Sequence, residues 1–176
     1  YLWCISTKWY KRMQLKEVEK ALNNFGKFVV QQARTRLTKG RKNVSKKLYN
    51  SLEYKINATE DSISVIFEME DYGKFQDQGV SGTKQKYNTP FSYKSKMPPS
   101  KAFSQFVVRK NIKGSRDEKG RFVKRKTLQY LIARSIFTRG IKPSMFFTKP
   151  FNQAFDKLPP ELQDKFGIDL ENLIFE

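Results

Sequence analysis

The sequence contains no histidine and a single cysteine, Cys4, among its 176 residues. These absences exclude an internal disulfide, a zinc site built from cysteine and histidine, a Ser-His-Asp triad and a Cys-His dyad. No apolar run approaches the roughly 20 residues that a membrane-spanning helix needs, so we expect no membrane partner. The nine glycines are scattered and form neither GxGxxG nor GxxxxGK, so no phosphate-binding loop of these kinds is predicted.

Aromatic residues are abundant instead, with 15 Phe, 8 Tyr and 2 Trp in a chain of 20.7 kDa. This is ample bulky material for a hydrophobic core, and the length suits one domain. Disordered chains are poor in aromatic residues, so global disorder is excluded. We predict an N-terminal arm or extension over 1–12, a single domain over 13–158 and an acidic C-terminal segment over 159–176.

Positive charge is in large excess, because 35 basic residues face 17 acidic ones and give a net charge of +18. The excess is uneven: residues 1–53 carry +10, residues 54–83 carry −4, residues 84–142 carry +15 and residues 143–176 carry −3. A strongly basic surface attracts polyanions by neutralising phosphates and releasing counterions. An acidic patch can also bind the basic patch of a neighbouring copy. Both interpretations stay open, beside the simpler one of solvated loops that keep the chain soluble.

Apolar residues at spacings of three and four predict a long amphipathic helix over 14–37. Its inward stripe consists of Leu15, Val18, Leu22, Phe25, Val29 and Ala33. We expect Gly40 to end this helix in the left-handed conformation. Shorter helices are predicted at three later places: 99–109, 127–138 with Thr127 as its N-cap, and from Thr148 onward. The 127–138 helix is apolar nearly all round, so we expect it to be buried in the chain or against a partner.

Period-two alternation appears in Leu52, Tyr54 and Ile56 and again in Ile63, Val65, Phe67 and Met69. A polar turn over 57–62 separates the two runs, so they predict an antiparallel hairpin with one buried face. Together the patterns predict an α+β fold, a small antiparallel β-sheet packed by the long N-terminal helix and by further C-terminal helices. Two stretches without a clear period, 84–97 and 111–126, are predicted to be long basic loops.

Basic and aromatic residues are interleaved in these loops, as they are in proteins that contact single-stranded nucleic acids. No RNA-recognition, KH or helix-turn-helix pattern is present, so any contact is expected to be non-specific and made to phosphates. The candidate basic residues for a channel or a partner, which include those of a third loop at 41–47, are Arg41, Lys42, Lys46, Lys47, Lys84, Lys86, Lys94, Lys96, Arg116, Arg121, Lys124, Arg125 and Lys126.

Two patterns have a catalytic interpretation. Glu68 and Glu70 share one strand face and could hold Mg²⁺ in a nuclease, but that face is expected to meet solvent. Ser81 and Lys84 fit an SxxK pattern, in which the lysine activates the serine, but two fixed residues in four are common by chance. Solvated carboxylates and an ordinary turn are the simpler interpretations. We therefore predict no catalytic residue, no metal site and no cofactor, and we do not expect an enzyme.

The order of several short motifs resembles one known family. The motifs are Leu48-x-x-Ser51-Leu52 before the first strand, Tyr72-x-x-Phe75-x-x-x-Gly79 after the hairpin, and Pro143-x-x-Phe146-Phe147 followed by Pro150-Phe151 and Ala154-Phe155. Over about residues 15–158 this arrangement resembles the small tail-completion and neck proteins, the tail-component family, of tailed bacteriophages. Two details depart from the family pattern: Gln78 stands where the family has Glu, and the nearest glycine ahead of the Leu-x-x-Ser element is Gly40.

The resemblance implies an antiparallel sheet packed by the first helix and a structural role in the virion, at the neck between head and tail. It implies a homo-oligomeric ring of six or twelve copies, assembled in the host cytoplasm, through which genomic DNA passes without sequence-specific contact. The expected neighbours are the portal or adaptor proteins on one side and tail-tube or tail-terminator proteins on the other. A free, non-specific nucleic-acid-binding protein is the alternative.

We expect docking in such a ring to use apolar surfaces: Phe146, Phe147, Phe151, Tyr72 and Phe75, together with the 127–138 helix. The acidic regions 54–83 and 143–176 would meet basic neighbours. Because each phosphate contact adds affinity, a channel lined too strongly with lysine would trap DNA. We therefore expect at least one basic loop to face protein instead.

Overall fold

Seven α-helices and two antiparallel two-stranded sheets make up the described part of the chain in the computed structural model, which confirms the predicted α+β class. The structure describes residues 15–40, 44–58, 62–112, 116 and 118–175. The helices are α1 (Lys16–Lys39), α2 (Lys47–Ser51), α3 (Gly73–Gln78), α4 (Ser104–Arg109), α5 (Arg125–Arg139), α6 (Thr148–Phe155) and α7 (Leu158–Phe175). The strands are β1 (Glu53–Ala58), β2 (Ile63–Glu68), β3 (Val80–Ser81) and β4 (Gly140–Ile141), and a 3₁₀ turn spans Ser100–Phe103.

The longest helix, α1, lies within two residues of the predicted bounds, 14–37. Its buried residues form one stripe: Ala21, Leu22, Phe25, Gly26, Val29, Val30, Ala33 and Leu37. Glu17 in the first turn and Arg36 in the last complement the helix dipole. The helix ends at Gly40 as predicted, but the left-handed conformation expected there is wrong, because its φ is −73°. The Gly40 N–H still donates to the Arg36 carbonyl at 2.8 Å, so this residue continues the helical bonding pattern.

The predicted antiparallel hairpin is formed by β1 and β2, with Tyr54 opposite Phe67 and Ile56 opposite Val65. These four side chains are partly buried, and the residues between them are exposed. Phe67 lies on the buried face, where its ring meets that of Phe25 on α1 edge to face at a centroid distance of 5.9 Å. The sheet is therefore held against α1, as the alternation predicts.

The core lies between α1, the hairpin and the two C-terminal helices. One group of buried side chains joins the C-terminal half of α1 to the entry of the hairpin: Val30, Ala33, Leu37, Leu48, Leu52 and Phe146. A second group joins its N-terminal half to α7: Leu22, Phe25, Val29 and Leu158. Full burial of such a side chain stabilises the fold by roughly 1.5–3 kcal/mol, so these contacts fix the helices on the sheet.

The acidic C-terminal segment predicted over 159–176 is not separate from the domain. Helix α7 packs along α1, buries Leu158 and brings Leu162 onto the same core. Pro159 and Pro160 fall in its first turn, where a missing N–H removes no helical hydrogen bond. The double proline therefore begins a helix that belongs to the domain.

The start of α1 is capped by a residue of α7, Asp169, whose side chain is buried. The backbone N–H of Glu17 donates to both carboxylate oxygens at 3.1 Å, and that of Val18 donates to one of them at 3.1 Å. N–H groups in the first turn of a helix have no acceptor within the helix. Leu15, which precedes α1, offers no side-chain acceptor, so the cap comes from the other end of the chain.

A second buried aspartate, Asp77 at the end of α3, caps α6 in the same way. Its carboxylate accepts the Phe147 N–H at 2.8 Å and the Thr148 N–H at 3.3 Å, and the Thr148 hydroxyl donates to it as well. Its backbone carbonyl accepts the N–H groups of Ser144 and Met145 at 3.0 Å. The stretch before α6 is therefore bound to α3 through Asp77. We call this set of hydrogen bonds the joint at Asp77.

The short strands β3 and β4 pair Val80 with Ile141 and Ser81 with Gly140, so the chain leaves and re-enters the body of the domain at one point. We call residues 82–139, which lie between these strands, the excursion. Gly140 has φ 76°, and a Cβ atom there would lie 2.1 Å from the Val80 carbonyl oxygen and 2.5 Å from the Gly82 nitrogen. Only glycine fits at this close approach of two backbones.

The 84–97 segment forms neither helix nor strand, as predicted, yet it is bound to the base of the excursion. The Ser81 N–H donates to the Phe91 carbonyl at 2.8 Å, and the Tyr93 N–H donates to the Ser81 carbonyl at 2.9 Å. The Phe91 ring also meets Phe75 of α3 edge to face, at a centroid distance of 4.7 Å. The segment is therefore a folded loop that adjoins α3.

Candidate interaction surfaces

Most of the net positive charge belongs to the excursion. It holds 16 basic and 2 acidic residues, a net charge of +14, whereas the rest of the chain holds 19 and 15, a net charge of +4. The four predicted lysines of its first loop, Lys84, Lys86, Lys94 and Lys96, are all exposed. The separation of charge predicted from the sequence thus coincides with a structural boundary.

An open groove of about 340 Å³ lies in the excursion between α4 and α5. Six of its eight lining residues are apolar: Val107, Val108, Ile112, Phe122, Val123 and Leu128. The other two are Asn111 and Arg125. Val107 is buried, whereas Val108 is 55% exposed and Phe122 is 69% exposed. The groove thus places exposed apolar side chains beside a cation, which makes it a candidate contact site. We call this feature the groove.

A short hairpin at the tip of the excursion presents one aromatic and one basic side chain together. Arg116 and Phe122 form an isolated antiparallel bridge, and the Arg116 guanidinium lies 4.7 Å from the centroid of the Phe122 ring. The same guanidinium donates to the Gly120 carbonyl at 3.3 Å. The predicted loop residues Arg121 and Lys124 are exposed beside this pair. The tip thus combines a cation with an open ring face.

Two residues predicted to lie in the 111–126 loop, Arg125 and Lys126, belong instead to the first turn of α5. The helix begins earlier than predicted, because the N–H groups of Thr127 and Leu128 donate to the Lys124 carbonyl at 2.9 and 3.2 Å. Thr127 is therefore inside the helix, and its predicted role as N-cap is wrong. Three consecutive cations stand at this N-terminus with no acidic residue in the first turn, an arrangement that the helix dipole disfavours.

Helix α5 is less buried than its apolar sequence predicts. Gln129 and Ala133 are its buried residues, whereas Tyr130 and Leu131 are about half exposed. Burial all round within one chain is therefore wrong, and cover by a partner stays a prediction.

The third basic loop is described only in part. Lys46 and Lys47 are exposed where α2 begins, and Lys46 has φ 57°. Arg41 and Lys42 lie outside the described residues.

Of the aromatic residues predicted to dock a partner, Phe146 is 1% exposed and belongs to the core, so its predicted docking role is wrong. The physical reason is the backbone joint at Asp77, which fixes the segment before α6 against the body. Phe147 and Phe151 are half-buried, and both rings pack on Phe67, at centroid distances of 5.3 and 5.9 Å.

The apolar surface near these rings belongs to residues that the sequence did not single out for docking. Phe155 stacks on Phe151 at a centroid distance of 5.7 Å and is 50% exposed, and Met145 is nearly as open. Tyr72 is exposed as predicted. Phe75 is half-buried against Phe91 and anchors the 84–97 loop.

The outward side of α7 carries an acidic stripe that sequence reasoning missed. Glu161, Asp164, Ile168 and Glu171 follow one another at spacings of three, four and three residues, so they share one side of the helix, and all four are exposed. We call these four residues the acidic stripe. The signal was present in the spacing, but the double proline suggested a boundary and hid the continuous helix.

Two of the four residues with a catalytic interpretation, Glu68 and Ser81, have structural partners. Glu68 is exposed and accepts a hydrogen bond from the Lys55 ammonium at 2.7 Å, across the hairpin, and this hydrogen bond and the negative charge of Glu68 raise the pKa of Lys55. Within the described ranges no group of three or more Asp, Glu or Cys residues is placed to hold a metal ion. The Ser81 hydroxyl is buried, donates to the Tyr87 carbonyl and accepts the Tyr87 N–H, both at 2.9 Å.

Among the helices of the described residues, none is long and apolar enough to cross a bilayer. Comparison of the chain with family models, with curated proteins and with solved structures gave no match.

Proposed function

We propose that this protein is a structural subunit of a bacteriophage neck. In this proposal, six or twelve copies associate head to tail into a ring that joins the portal side of the head to the tail and lets DNA pass. The proposal rests on the motif resemblance and is supported by the arrangement of the residues that carry it.

The observation that carries the proposal is the meeting of these motifs in space. Leu48 and Leu52, from the element before the hairpin, share one buried cluster with Phe146 from the C-terminal element. The Tyr72–Gly79 motif is bound to the same place, because its Asp77 accepts the backbone N–H of Phe147 from the C-terminal element. Motifs nearly a hundred residues apart thus form one structural unit, as a family signature would.

The separation of charge supports the assembly part of the proposal. The excursion is strongly basic, whereas the acidic stripe lies on α7, which is anchored on α1. Two different complementary surfaces on one chain favour heterologous contacts, which close into a ring when the rotation between copies allows it. Exposed lysines of the 84–97 loop would then face either DNA phosphates or a neighbouring ring protein.

The test is the mass of the nuclease-treated protein at low and at high salt, measured by light scattering, with electron microscopy of the particles. High salt suppresses bridging by contaminating nucleic acid. We expect a closed ring of six or twelve copies. The genome supplies an independent criterion, since the coding sequence should lie among portal and tail-tube genes. A monomer whose gene lies apart from such genes would contradict the proposal.

The second candidate function, non-specific nucleic-acid binding by the free monomer, is favoured by the tip of the excursion. Phe122 is largely exposed and is paired with the Arg116 guanidinium, and bases can stack on such a platform. This candidate predicts tight DNA binding by the isolated chain, with an affinity that falls steeply as salt rises. A neck subunit is expected to bind DNA weakly under the same conditions, so titration of DNA at two salt concentrations separates the two candidates.

A further inference from the structure

We infer that the acidic stripe of one copy docks into the groove of the next copy, so that α7 of each protomer covers α4 and α5 of its neighbour. This inference rests on the proposed head-to-tail assembly and names the two surfaces that form it. Four observations carry it: the exposed groove, the outward stripe, the cations at the start of α5 and the anchoring of α7.

The groove places apolar side chains beside the polar residues Asn111 and Arg125. Among its apolar lining residues, Val108 and Phe122 are more than half exposed and Val107 is buried. Arg125 lines one end, and Lys124 precedes it directly in the sequence. A partner for this surface must bring a small apolar group flanked by negative charge.

The acidic stripe has this composition. Ile168 is 39% exposed and has carboxylates before and after it on the same side of α7, from Asp164 and Glu171. The ion pairs recorded among the described residues lie elsewhere, at Lys20–Glu17, Lys55–Glu68 and Lys165–Glu17. The stripe therefore presents one aliphatic side chain between charges that are available to a partner.

The start of α5 explains why an anionic partner suits this particular place. Lys124, Arg125 and Lys126 stand at the positive end of the helix dipole, and no acidic residue of the first turn offsets them. Locally unfavourable arrangements of this kind are expected where function requires them. Carboxylates supplied by a neighbour would relieve the repulsion between these cations and the helix dipole. They would also fix the relative orientation of the two surfaces.

The occupant is a second copy because both surfaces remain open in one chain. Helix α7 is anchored on α1 through Leu158, Leu162 and the cap from Asp169, which leaves the stripe outward. Ile168 and Val108 are both exposed in the same protomer, so neither is covered by the other. A contact between two different surfaces repeats from copy to copy and produces a ring or a filament.

The first experiment measures cross-linking between two single-cysteine proteins, made in a Cys4→Ser background and otherwise full length. One carries Val108→Cys and the other Ile168→Cys, and a short bis-maleimide reagent joins them. The matched control replaces Ile168→Cys with Ile66→Cys, an isoleucine of similar exposure, 45%, on the outer face of β2. Docking raises the effective concentration of the thiols, so the 108–168 pair should react at least about tenfold faster than the 108–66 pair. Equal rates would overturn the inference.

The second experiment reverses the charges and repeats the cross-linking. One protein carries Glu161→Lys, Asp164→Lys and Glu171→Lys, and the other carries Lys124→Glu, Arg125→Glu and Lys126→Glu. Each alone should fall to the control rate, because like charges then face each other. An equimolar mixture should regain the fast reaction, because each reversed surface meets its complement in the other protein. All substituted residues are exposed, and circular dichroism verifies that both proteins remain folded.

The outcomes distinguish this inference from the proposed function. A closed ring whose 108–168 pair reacts at the control rate would overturn the interface and leave the neck proposal intact. Fast cross-linking in a protein that forms only open filaments would support the interface and contradict the closed ring. A third outcome combines two results: charge reversal at the start of α5 abolishes DNA binding, and charge reversal of the stripe leaves cross-linking unchanged. The cations at the start of α5 would then bind nucleic acid, and the inference would be wrong.

Discussion

The carboxylate of Asp169 accepts the backbone N–H of Glu17 at 3.1 Å, across 152 residues of sequence. This contact places the last helix of the chain at the first turn of the first helix, where free N–H groups need an acceptor. Together with the packing of Leu158 and Leu162, it fixes the orientation of α7 on α1 and leaves the acidic stripe exposed.

Replacing this acceptor should weaken the whole domain. We expect Asp169→Asn to lower the free energy of unfolding by about 1–3 kcal/mol, because a buried charge-assisted cap is lost and an amide group faces N–H donors. Urea denaturation measures the change. Asp164→Asn, on the exposed side of the same helix, is the matched control and should change stability by no more than about 0.5 kcal/mol. Equal effects of the two substitutions would show that the cap is not important.

The joint at Asp77 should behave in a similar way but with a local signature. Asp77→Asn is expected to destabilise the protein by about 1–3 kcal/mol, since the charged group that accepts three donors becomes an amide with one acceptor oxygen and an NH₂ group facing N–H donors. Hydrogen exchange should then speed up first at the amides of Phe147 and Thr148, which donate to this carboxylate. Asp71→Asn, at an exposed position just before α3, is the control and should leave these amides protected.

Substitutions of Phe146 and Phe155 test which aromatic residue belongs to the core and which lies on the surface. Phe146→Ala removes a side chain that is almost wholly buried and should cost about 3–5 kcal/mol of unfolding free energy. Phe155→Ala removes a half-exposed ring and should cost much less, while weakening any assembly that uses this surface. Thermal melts and the assembly mass separate the two effects. A larger loss of stability for Phe155→Ala would contradict the core described above.

Gly140 and Gly120 both have a positive φ, 76° and 75°. A Cβ atom at Gly120 meets nothing within 4 Å, whereas one at Gly140 lies 2.1 Å from the Val80 carbonyl oxygen. Gly120→Ala should therefore cost only the backbone strain, about 1 kcal/mol. Gly140→Ala should cost several times more, because it also separates β3 from β4. Equal losses in a denaturant titration would mean that the strand pair does not hold the base of the excursion.

Tyr93 gives the protein a predicted response to alkali. Burial raises the pKa of its hydroxyl above the ordinary value of 10.0. The folded state therefore keeps this proton more tightly than the unfolded state, and stability is unaffected below pH 10 and falls as pH rises through the raised pKa. Tyr93→Phe should lose less stability over this alkaline range than the parent protein. Tyr130→Phe, at an exposed site on α5, should follow the parent curve.

The parts of the fold that the sequence predicts are those set by local periodicity. The stripe of α1 and the alternation of β1 and β2 each have a single period over many residues, and burial of one face follows from it. Helix α5 has no such clear face, since its own apolar residues are distributed around the helix axis. The exposure of Tyr130 and Leu131 depends on which elements pack against α5, and composition alone does not contain that information.

The candidate surfaces were predictable in charge but not in position. The basic character of the excursion follows from counting residues, yet the inclusion of Arg125 and Lys126 in a helix depends on backbone hydrogen bonds to Lys124. The caps from Asp77 and Asp169 join elements distant in sequence, and no local pattern identifies such partners. One clue was available, because neither Phe147 nor Leu15 can cap the helix that it precedes.

The pairing of β3 with β4 has a consequence for how this protein can diverge. The first and last residues of the excursion lie next to each other in space. A segment of a different length can therefore take its place, with the pairs Val80–Ile141 and Ser81–Gly140 unchanged at its base. No residue of the excursion belongs to either of the two main core clusters, whose residues come mainly from α1, the hairpin and the C-terminal helices. Replacement of the excursion would therefore change the surface that meets partners while both core clusters of the remaining domain are kept.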